Sequence, residues 1–175
     1  MAIDFSKIRA FAFDVDGVFT DGGLLCTREG EFYRTFDAKD GFAVRMAGMH
    51  GYPVAIITGG SSVSIRNRFL ASGVDQDDIY LASRIKTEEF AIFCRKHHLH
   101  EEEVLYMGDD IPDVDVMAGP CLGMCPCDAV QEVKEVADLI APFPGGRGAV
   151  RYAVECVLKA RGDWVFDSKQ YKELF

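Results

Sequence analysis

Short apolar runs alternate along this chain with longer segments that have amphipathic, helix-like spacing. This alternation is typical of a parallel sheet whose strands are joined by crossover helices, so the pattern predicts the α/β class. The predicted strands are Ile8–Phe13, Pro53–Ile57, Asp78–Leu81, Val104–Met107 and Cys121–Cys125, with a possible edge strand at Asp138–Ile140.

Each predicted strand after the first is followed directly by a segment with helical periodicity. The chain is therefore expected to form one domain, residues 1–175, built on a doubly wound and mostly parallel sheet. The predicted helices are Gly41–His50, Ser62–Ser72, Thr87–His97, Pro112–Ala118, Ala129–Val136 and Gly148–Arg161.

The segment Val18–Phe36 breaks the alternation after the first strand. It carries turn residues at Asp21–Gly23 and Arg28–Gly30, with apolar or aromatic pairs beside them, and so predicts an inserted β-hairpin. The segment Gly162–Phe175 is a candidate C-terminal extension. Its four aromatic residues fit docking on this or a neighbouring subunit, and fraying is equally compatible with the sequence.

Composition narrows the classes of partner. The 175 residues include 19 Lys and Arg against 28 Asp and Glu, which gives a net charge of −9. This acidic balance argues against a nucleic-acid partner or an anionic membrane surface. Neither a leader-like apolar region in Met1–Arg9 nor an apolar run of roughly 18 residues is found, so we expect a cytoplasmic protein without a membrane partner.

Six cysteines in a chain without an export signal are expected to be reduced. Cys121, Cys125 and Cys127 are close enough in sequence to suggest a metal site. Their spacing lacks a second paired ligand cluster and falls in an apolar run, so structural packing is the favoured interpretation.

Two carboxylates, Asp14 and Asp16, stand where the first apolar strand ends in a glycine turn at Gly17. Ligands of open α/β sheets bind at the carboxyl ends of strands. Two like charges at this spacing repel each other, and a hard divalent cation can hold both ionised. Ordinary turn-forming aspartates are the alternative interpretation.

A second acidic cluster follows another strand. Asp109, Asp110 and Asp113 lie in the segment Tyr106–Asp113, just before a predicted helix. Three acidic groups so close together are costly unless a cation or a helix N-terminus offsets their charge. A solvated acidic loop becomes a weaker explanation once two such clusters follow separate strands.

A third strand end carries small and hydroxyl residues, Thr58, Gly59, Gly60 and two serines, and leads into a helix. Its hydroxyl and backbone N–H groups could bind phosphate oxygens, or merely cap the helix. Lys86 then stands at the start of the next helix. A single lysine is usually a solvated surface group, and only its occurrence together with the three strand-end clusters makes Lys86 a candidate site residue.

The ordered set D-x-D-G, T-G, K and G-D-D-x-x-D resembles the four motifs of phosphatases of the haloacid dehalogenase superfamily. That resemblance implies a Rossmann-like fold and a phosphatase activity that uses Mg²⁺. Asp14 would be the nucleophile that forms an aspartyl phosphate, and Asp16 the general acid and base. Mg²⁺ would be bound by Asp14, the backbone carbonyl of Asp16, and Asp109.

The same resemblance implies roles for the other motif residues. Thr58, Gly59 and Lys86 would hold the phosphoryl oxygens, where the protein mainly positions the group and neutralises its charge. Asp110 and Asp113 would support the metal ligands and orient Lys86.

The absence of a large cap, the string DVDGVFTDG and the segment Gly145–Arg151 resemble one branch, the 3-deoxy-D-manno-octulosonate 8-phosphate phosphatases. The branch implies a homotetramer with shared sites, built around the hairpins of residues 18–36, and a keto-sugar-acid phosphate as substrate. Arg147 would reach the substrate carboxylate, unless it is an ordinary surface arginine. The family usually has Arg after the T-G pair, where this chain has Gly60, which leaves the identity of the sugar acid open.

Two alternatives therefore stand beside an eight-carbon sugar-acid substrate. A nonulosonate 9-phosphate phosphatase would keep the same chemistry on a nine-carbon homologue. A non-catalytic oligomerisation module is the alternative of another class, and the retention of Asp14, Asp16, Thr58, Lys86 and Asp109 together argues against it.

Overall fold

The computed structural model describes residues 3–165, and a six-stranded sheet organises this part of the chain. The sheet has the strand order β5-β4-β1-β6-β7-β8, and all its pairings among the described residues are parallel, whereas the sequence predicted a mostly parallel sheet. In chain order the strands are β1 (Ala10–Phe13), β2 (Leu25–Cys26), β3 (Phe32–Tyr33), β4 (Val54–Ile57), β5 (Ile79–Tyr80), β6 (Val104–Met107), β7 (Leu122–Cys125) and β8 (Leu139–Ile140).

Helices connect the parallel strands, as the periodicity predicted. They are α1 (Ala38–Met49), α2 (Val63–Ala71), α3 (Lys86–Lys96), α4 (Val114–Met117), α5 (Gln131–Val136) and α6 (Ala149–Arg161). Helix α1 begins before its predicted start because the Asp37 side chain caps it, accepting from the backbone N–H groups of Lys39 and Asp40. Helix α4 is shorter than predicted because a 3₁₀ turn, Ile111–Asp113, precedes it.

The sheet separates two apolar cores, which confirms the doubly wound arrangement. Side chains alternate along each central strand, so that Phe11 and Phe13 face one core while Ala10 and Ala12 face the other. Helices α1, α2 and α6 contribute to the first core, and α3, α4 and α5 to the second. Strands buried on both faces explain why their sequences read as continuous apolar runs.

The predicted insertion after β1 is a short antiparallel hairpin, in which Leu25 pairs with Tyr33 and Cys26 with Phe32. Both of its strands are exposed. Among the described residues this hairpin takes the place of a large cap domain.

Cys121 and Cys125 are buried in the second core with free thiols, in agreement with the packing interpretation, whereas the thiol of Cys127 is exposed and does not fit it. Trp164 packs against the first core, with the Arg151 guanidinium 4.7 Å from the centre of its ring. The remaining tail aromatics, Phe166, Tyr171 and Phe175, lie outside the described residues. None of the helices within residues 3–165 combines the length and the apolar character needed to cross a membrane.

Candidate active site

Three adjacent strands bring the sequence motifs together at one edge of the sheet. Strand β1 lies between β4 and β6, and because all three are parallel their carboxyl ends meet. Asp14 follows β1, Thr58 follows β4, and Asp109 follows β6 after one glycine. A cavity of about 430 Å³ at this edge is lined by Asp14, Asp16, Gly22, Thr58, Gly59, Gly60, Ser83, Arg84, Lys86, Asp109, Asp110 and Pro112.

Asp14 is buried at the base of this cavity. Its Oδ2 atom lies 2.8 Å from Nζ of Lys86, and its Oδ1 accepts a 2.6 Å hydrogen bond from the Val15 backbone. Burial, together with the negative charge of Asp113, raises the pKa of Asp14 to about 7, and Lys86 opposes part of that rise. Without a bound cation, the Asp14 carboxyl group therefore exchanges its proton near neutral pH.

Lys86 is the first residue of α3, and its side chain points into the site instead of into solvent. Its ammonium group bridges two carboxylates, Asp14 at 2.8 Å and Asp113 at 2.7 Å. Burial alone would lower the Lys86 pKa, but the two carboxylates outweigh it and the pKa is raised. The lysine is therefore held as a buried cation beside Asp14.

Asp113 is fully buried and saturated with donors. One oxygen accepts from Lys86 and from the Tyr106 hydroxyl at 2.6 Å, and the other from the backbone N–H groups of Asp109 and Asp110. Tyr106 is buried in β6, and burial raises its pKa well above the usual range, so its hydroxyl stays a donor. This network fixes both Lys86 and the loop that carries Asp109.

Asp109 has one carboxylate oxygen, Oδ1, that is buried without a hydrogen-bond partner among the described residues. Burial and the charges of Asp14 and Asp113 raise its pKa to about 8. Buried polar atoms are normally satisfied, so an orphaned carboxylate oxygen indicates a missing cationic partner.

The donor set suits a hard divalent cation. Asp14, Asp109 and Asp113 each place one carboxylate oxygen within 4.8 Å of the other two. Since Asp113 already binds Lys86 and Tyr106, Asp14 and Asp109 are the open ligands of this cluster. The Asp16 side chain lies outside the cluster, so any contribution of Asp16 to the metal would come from its backbone carbonyl, as the resemblance implies.

Gly17 makes room for this acidic cluster. A Cβ atom at Gly17 would lie 1.8 Å from Oδ2 of Asp109, and the residue has a φ of +84°. Both facts demand glycine, because other residues are strained at this φ and would displace the Asp109 carboxylate. The glycine of the D-x-D-G motif thus has a steric explanation.

Asp16 is held by an arginine that the sequence interpretation missed. Arg34 donates from Nε to Oδ1 of Asp16 at 2.7 Å and from Nη2 to Oδ2 at 2.9 Å. This hydrogen-bonded pairing raises the pKa of Arg34. The arginine directly follows β3, so the hairpin contributes a charged side chain to the active site.

The Thr58 loop is tied to the segment after β5. The backbone N–H of Ser83 donates to the Thr58 carbonyl and that of Ala82 to the Gly60 carbonyl, each at 3.0 Å. The Thr58 side chain is buried and accepts from the Gly60 N–H at 3.1 Å, so it does not cap α2. Ser62 caps that helix instead.

Comparison with known proteins identifies the family. The chain is 34% identical over 156 residues to the 3-deoxy-D-manno-octulosonate 8-phosphate phosphatase KdsC of Escherichia coli K12, covering 89% of this chain and 82% of that protein. The crystal structure of the phosphatase of the same name from Yersinia pestis has a TM-score of 0.87 and 30% identity, covering 91% of this chain and 85% of that one. No family model matches the chain.

The chain belongs to the 3-deoxy-D-manno-octulosonate 8-phosphate phosphatase family. It is accordingly a phosphatase of the haloacid dehalogenase superfamily, as its motifs indicated. A third relative, the phosphatase from Moraxella catarrhalis, was crystallised with a magnesium ion, a phosphate ion and a KDO molecule. It has a TM-score of 0.87 and 29% identity, covering 92% of this chain and 91% of that one.

Against this family background, the segment that contains Arg147 has a structural role. Cβ atoms at Gly145 and Gly146 would lie 1.8 Å from the Gly17 carbonyl oxygen and 2.6 Å from the Thr20 carbonyl carbon, so these glycines pack directly on the Gly17–Thr20 loop. The Arg147 side chain is 65% exposed, lies 3.9 Å from Asp21 and is outside the residues that line the catalytic cavity. Its predicted contact with a substrate carboxylate stays a prediction.

Three residues in or beside the site were not predicted as site residues from the sequence: Arg34, Arg84 and Tyr106. A tyrosine in a strand buried on both faces needs a partner for its hydroxyl, and that requirement was a usable signal for Tyr106. Arg84 lines the catalytic cavity two residues before Lys86. Only a three-dimensional structure could place Arg34, because its position depends on how the hairpin folds back.

Proposed function

We propose that this chain hydrolyses 3-deoxy-D-manno-octulosonate 8-phosphate in the synthesis of a surface-polysaccharide precursor, as one cytoplasmic domain that uses Mg²⁺. The supporting observation is the buried Asp14 carboxylate, which is held by Lys86 and lines one cavity with Asp109, whose Oδ1 has no hydrogen-bond partner among the described residues. The shared name of the relatives, and the KDO and magnesium in the Moraxella structure, support the substrate and the metal.

In the proposed reaction a carboxylate oxygen of Asp14 attacks phosphorus and the bond from phosphorus to the sugar oxygen breaks. The leaving oxygen takes a proton from Asp16, and Asp14 is left as an aspartyl phosphate. Water then attacks that phosphorus, giving its proton to Asp16, and the products are inorganic phosphate and free Asp14. Arg34, bonded to both oxygens of Asp16, orients that carboxyl group.

The remaining predicted residues surround the transferred group. Thr58, the backbone of Gly59 and Lys86, which all line the catalytic cavity, would bind its oxygens. Mg²⁺, held by Asp14, the Asp16 carbonyl and Asp109, would neutralise charge on the phosphoryl oxygens. Asp113 positions Lys86 through a 2.7 Å contact, and Asp110 caps the turn that precedes α4.

Exposed apolar side chains on the hairpin support the proposed homotetramer. Leu24, Leu25, Phe32 and Tyr33 are between 44% and 67% exposed. Such a patch on a short hairpin is typical of an association surface. Sedimentation of the wild-type protein and of Leu25→Asp would test it, and a monomeric wild type would refute shared sites.

Phosphate release from the eight-carbon 8-phosphate and from a nonulosonate 9-phosphate, each with Mg²⁺ and with EDTA, tests the function. A Mg²⁺-dependent preference for the eight-carbon ester is expected. Preference for the nine-carbon ester would change the proposed substrate and leave the proposed reaction mechanism unchanged. Inactivity on both would favour the non-catalytic module.

A further inference from the structure

Arg34 is an unusually enclosed cation for a hairpin residue. Its side chain is 5% exposed, although Phe32 and Tyr33 beside it are open to solvent. The pairing with Asp16 accompanies this inward direction of the Arg34 side chain. The Nε–Nη2 edge of its guanidinium is occupied by Asp16, as described above.

The other edge of the guanidinium, formed by Nη1 and Nη2, is nearly free. Within residues 3–165 its one further hydrogen bond runs from Nη1 to the Phe32 carbonyl at 3.4 Å, close to the limit for such a contact. An arginine has five N–H donors, so each terminal nitrogen keeps a donor for another acceptor. A second carboxylate could bind this edge in the bidentate manner that guanidinium favours.

Gly60 provides the space in which this edge lies. A Cβ atom at Gly60 would stand 3.2 Å from Nη2 of Arg34 and 2.7 Å from Cδ1 of Ile65. A side chain at position 60 would therefore crowd Ile65 and, less severely, the Arg34 guanidinium. With glycine at this position the guanidinium has room beside the Thr58–Gly60 loop.

Arg34 lines a second cavity, which adjoins the catalytic one. A cavity of about 700 Å³ is lined by Asp16, Arg34, Gly59, Gly60, the serine-rich start of α2 and the hairpin. It shares Asp16, Gly59 and Gly60 with the catalytic cavity. Its volume is in the range of small-ligand sites, and Arg34 is the cationic side chain in its lining.

We propose that the free edge of Arg34 binds the carboxylate of the sugar-acid substrate and determines its specificity, with Gly60 providing the space. The proposal rests on the proposed function, because it requires a substrate that carries a carboxylate as well as a phosphate. The phosphate occupies the catalytic cavity and the acid end extends into the larger one. Arg34 then lies between the Asp16 side chain on one edge and the substrate carboxylate on the other, so binding of the substrate also positions Asp16.

The test compares two esters in wild type and in Arg34→Met. One is 3-deoxy-D-manno-octulosonate 8-phosphate and the other is arabinose 5-phosphate, which lacks the carboxylate. Loss of a bidentate charged contact should lower the kcat/KM ratio of the first ester to the second by about 100-fold. Arg34→Lys, which keeps the charge without the planar fork, should give an intermediate ratio.

Arg28→Met is the matched control, since Arg28 lies in the same hairpin but lines neither cavity. Its ratio should equal that of wild type. If Arg34 only positions Asp16, both esters will slow by the same factor in Arg34→Met, and an unchanged ratio would overturn the inference alone. A wild type that cleaves neither ester overturns the proposed function and this inference with it.

Position 60 gives an independent variant. Gly60→Ala should lower the kcat/KM ratio of the two esters even though Arg34 is retained, because the new methyl group crowds Nη2 of the guanidinium. The double variant Arg34→Met with Gly60→Arg places a cation near the same point from the loop after β4. It should recover part of the kcat/KM ratio that Arg34→Met loses. Folding of each variant is checked by its melting temperature, and a folded Gly60→Ala with wild-type ratio would contradict the crowding of the guanidinium.

Discussion

The hydroxyl group of Tyr106 donates a hydrogen bond of 2.6 Å to Oδ1 of Asp113, and the same oxygen accepts the Lys86 ammonium at 2.7 Å. Lys86 in turn contacts Asp14. A buried strand residue is thereby linked to the proposed nucleophile through two intermediate side chains. Lys86 is therefore held from the core side through Asp113 by a fully buried tyrosine.

Tyr106→Phe should lower kcat about 10-fold and the free energy of unfolding by about 1 to 2 kcal/mol, because Asp113 loses a buried donor. Steady-state kinetics and denaturant unfolding measure both. Tyr80→Phe is the matched control, since the Tyr80 hydroxyl is buried without a partner among the described residues. Its removal should leave stability equal or higher, and equal losses in both variants would contradict the network.

Asp14→Asn should abolish formation of the phosphoryl-enzyme, because an amide is a far weaker nucleophile than a carboxylate. Acid quenching followed by mass spectrometry of the intact protein detects the added phosphoryl group in wild type. Asn has nearly the same shape as Asp and removes a buried charge, so the variant should fold. Turnover at the wild-type rate would refute the assignment of the nucleophile.

Gly17→Ala should reduce both Mg²⁺ affinity and activity, and these losses should exceed those of a variant that is equally destabilised elsewhere in the chain. The new methyl group meets the Asp109 carboxylate, in addition to the cost of about 1 to 2 kcal/mol for a left-handed residue. Gly73→Ala shares the positive φ, +83°, but its Cβ would meet nothing within 4 Å. Calorimetric titration with Mg²⁺ should separate the two variants, and equal affinities would show that the contact with Asp109 is unimportant.

Stabilisation by Mg²⁺ should grow between about pH 5 and pH 8. Burial raises the pKa of Asp14 to about 7 and of Asp109 to about 8, far above about 4 for an unfolded aspartate. In this window the metal-free folded protein binds more protons than the unfolded chain, so these groups make its stability fall as pH rises. A cation that replaces the protons reverses the loss.

Melting temperatures in Mg²⁺ and in EDTA, measured across this pH range, test the linkage. The difference between the two conditions should be small at pH 5 and largest at pH 8 or above. Asp109→Asn removes one of the two titrating groups and should flatten the dependence. A difference independent of pH in wild type would argue against a metal bound by these carboxylates.

The strand-end motifs could be predicted from sequence because parallel strands converge at one edge of the sheet. Asp14 and Thr58 follow an apolar run directly and Asp109 follows one after a single glycine, so the fold class already implied their proximity. Lys86 could be predicted as a site residue only because the other motifs accompany it in the sequence, since its burial depends on the ion pair with Asp113. A residue in a helix start gives no local sign of which way its side chain points.

The positions that sequence did not reveal depend on long-range packing. Arg34 reaches Asp16 only after the hairpin folds back, and no periodicity encodes that turn. Gly145 and Gly146 contact the Gly17–Thr20 loop across more than a hundred residues of chain. Arg147 is the residue of this segment that the sequence made a candidate, whereas Gly145 and Gly146 are the residues that pack against the Gly17–Thr20 loop.

The small hairpin is a separate structural unit from the sheet that carries the buried carboxylates, so the two can vary independently. Its strands are two residues long, exposed on their outer side, and separate from the central sheet. Changes in its sequence can alter the wall of the larger cavity while the buried network of Asp14, Lys86 and Asp113 stays intact. Descendants of such a protein could acquire new acidic substrates by exchanging hairpin residues without rebuilding the catalytic apparatus.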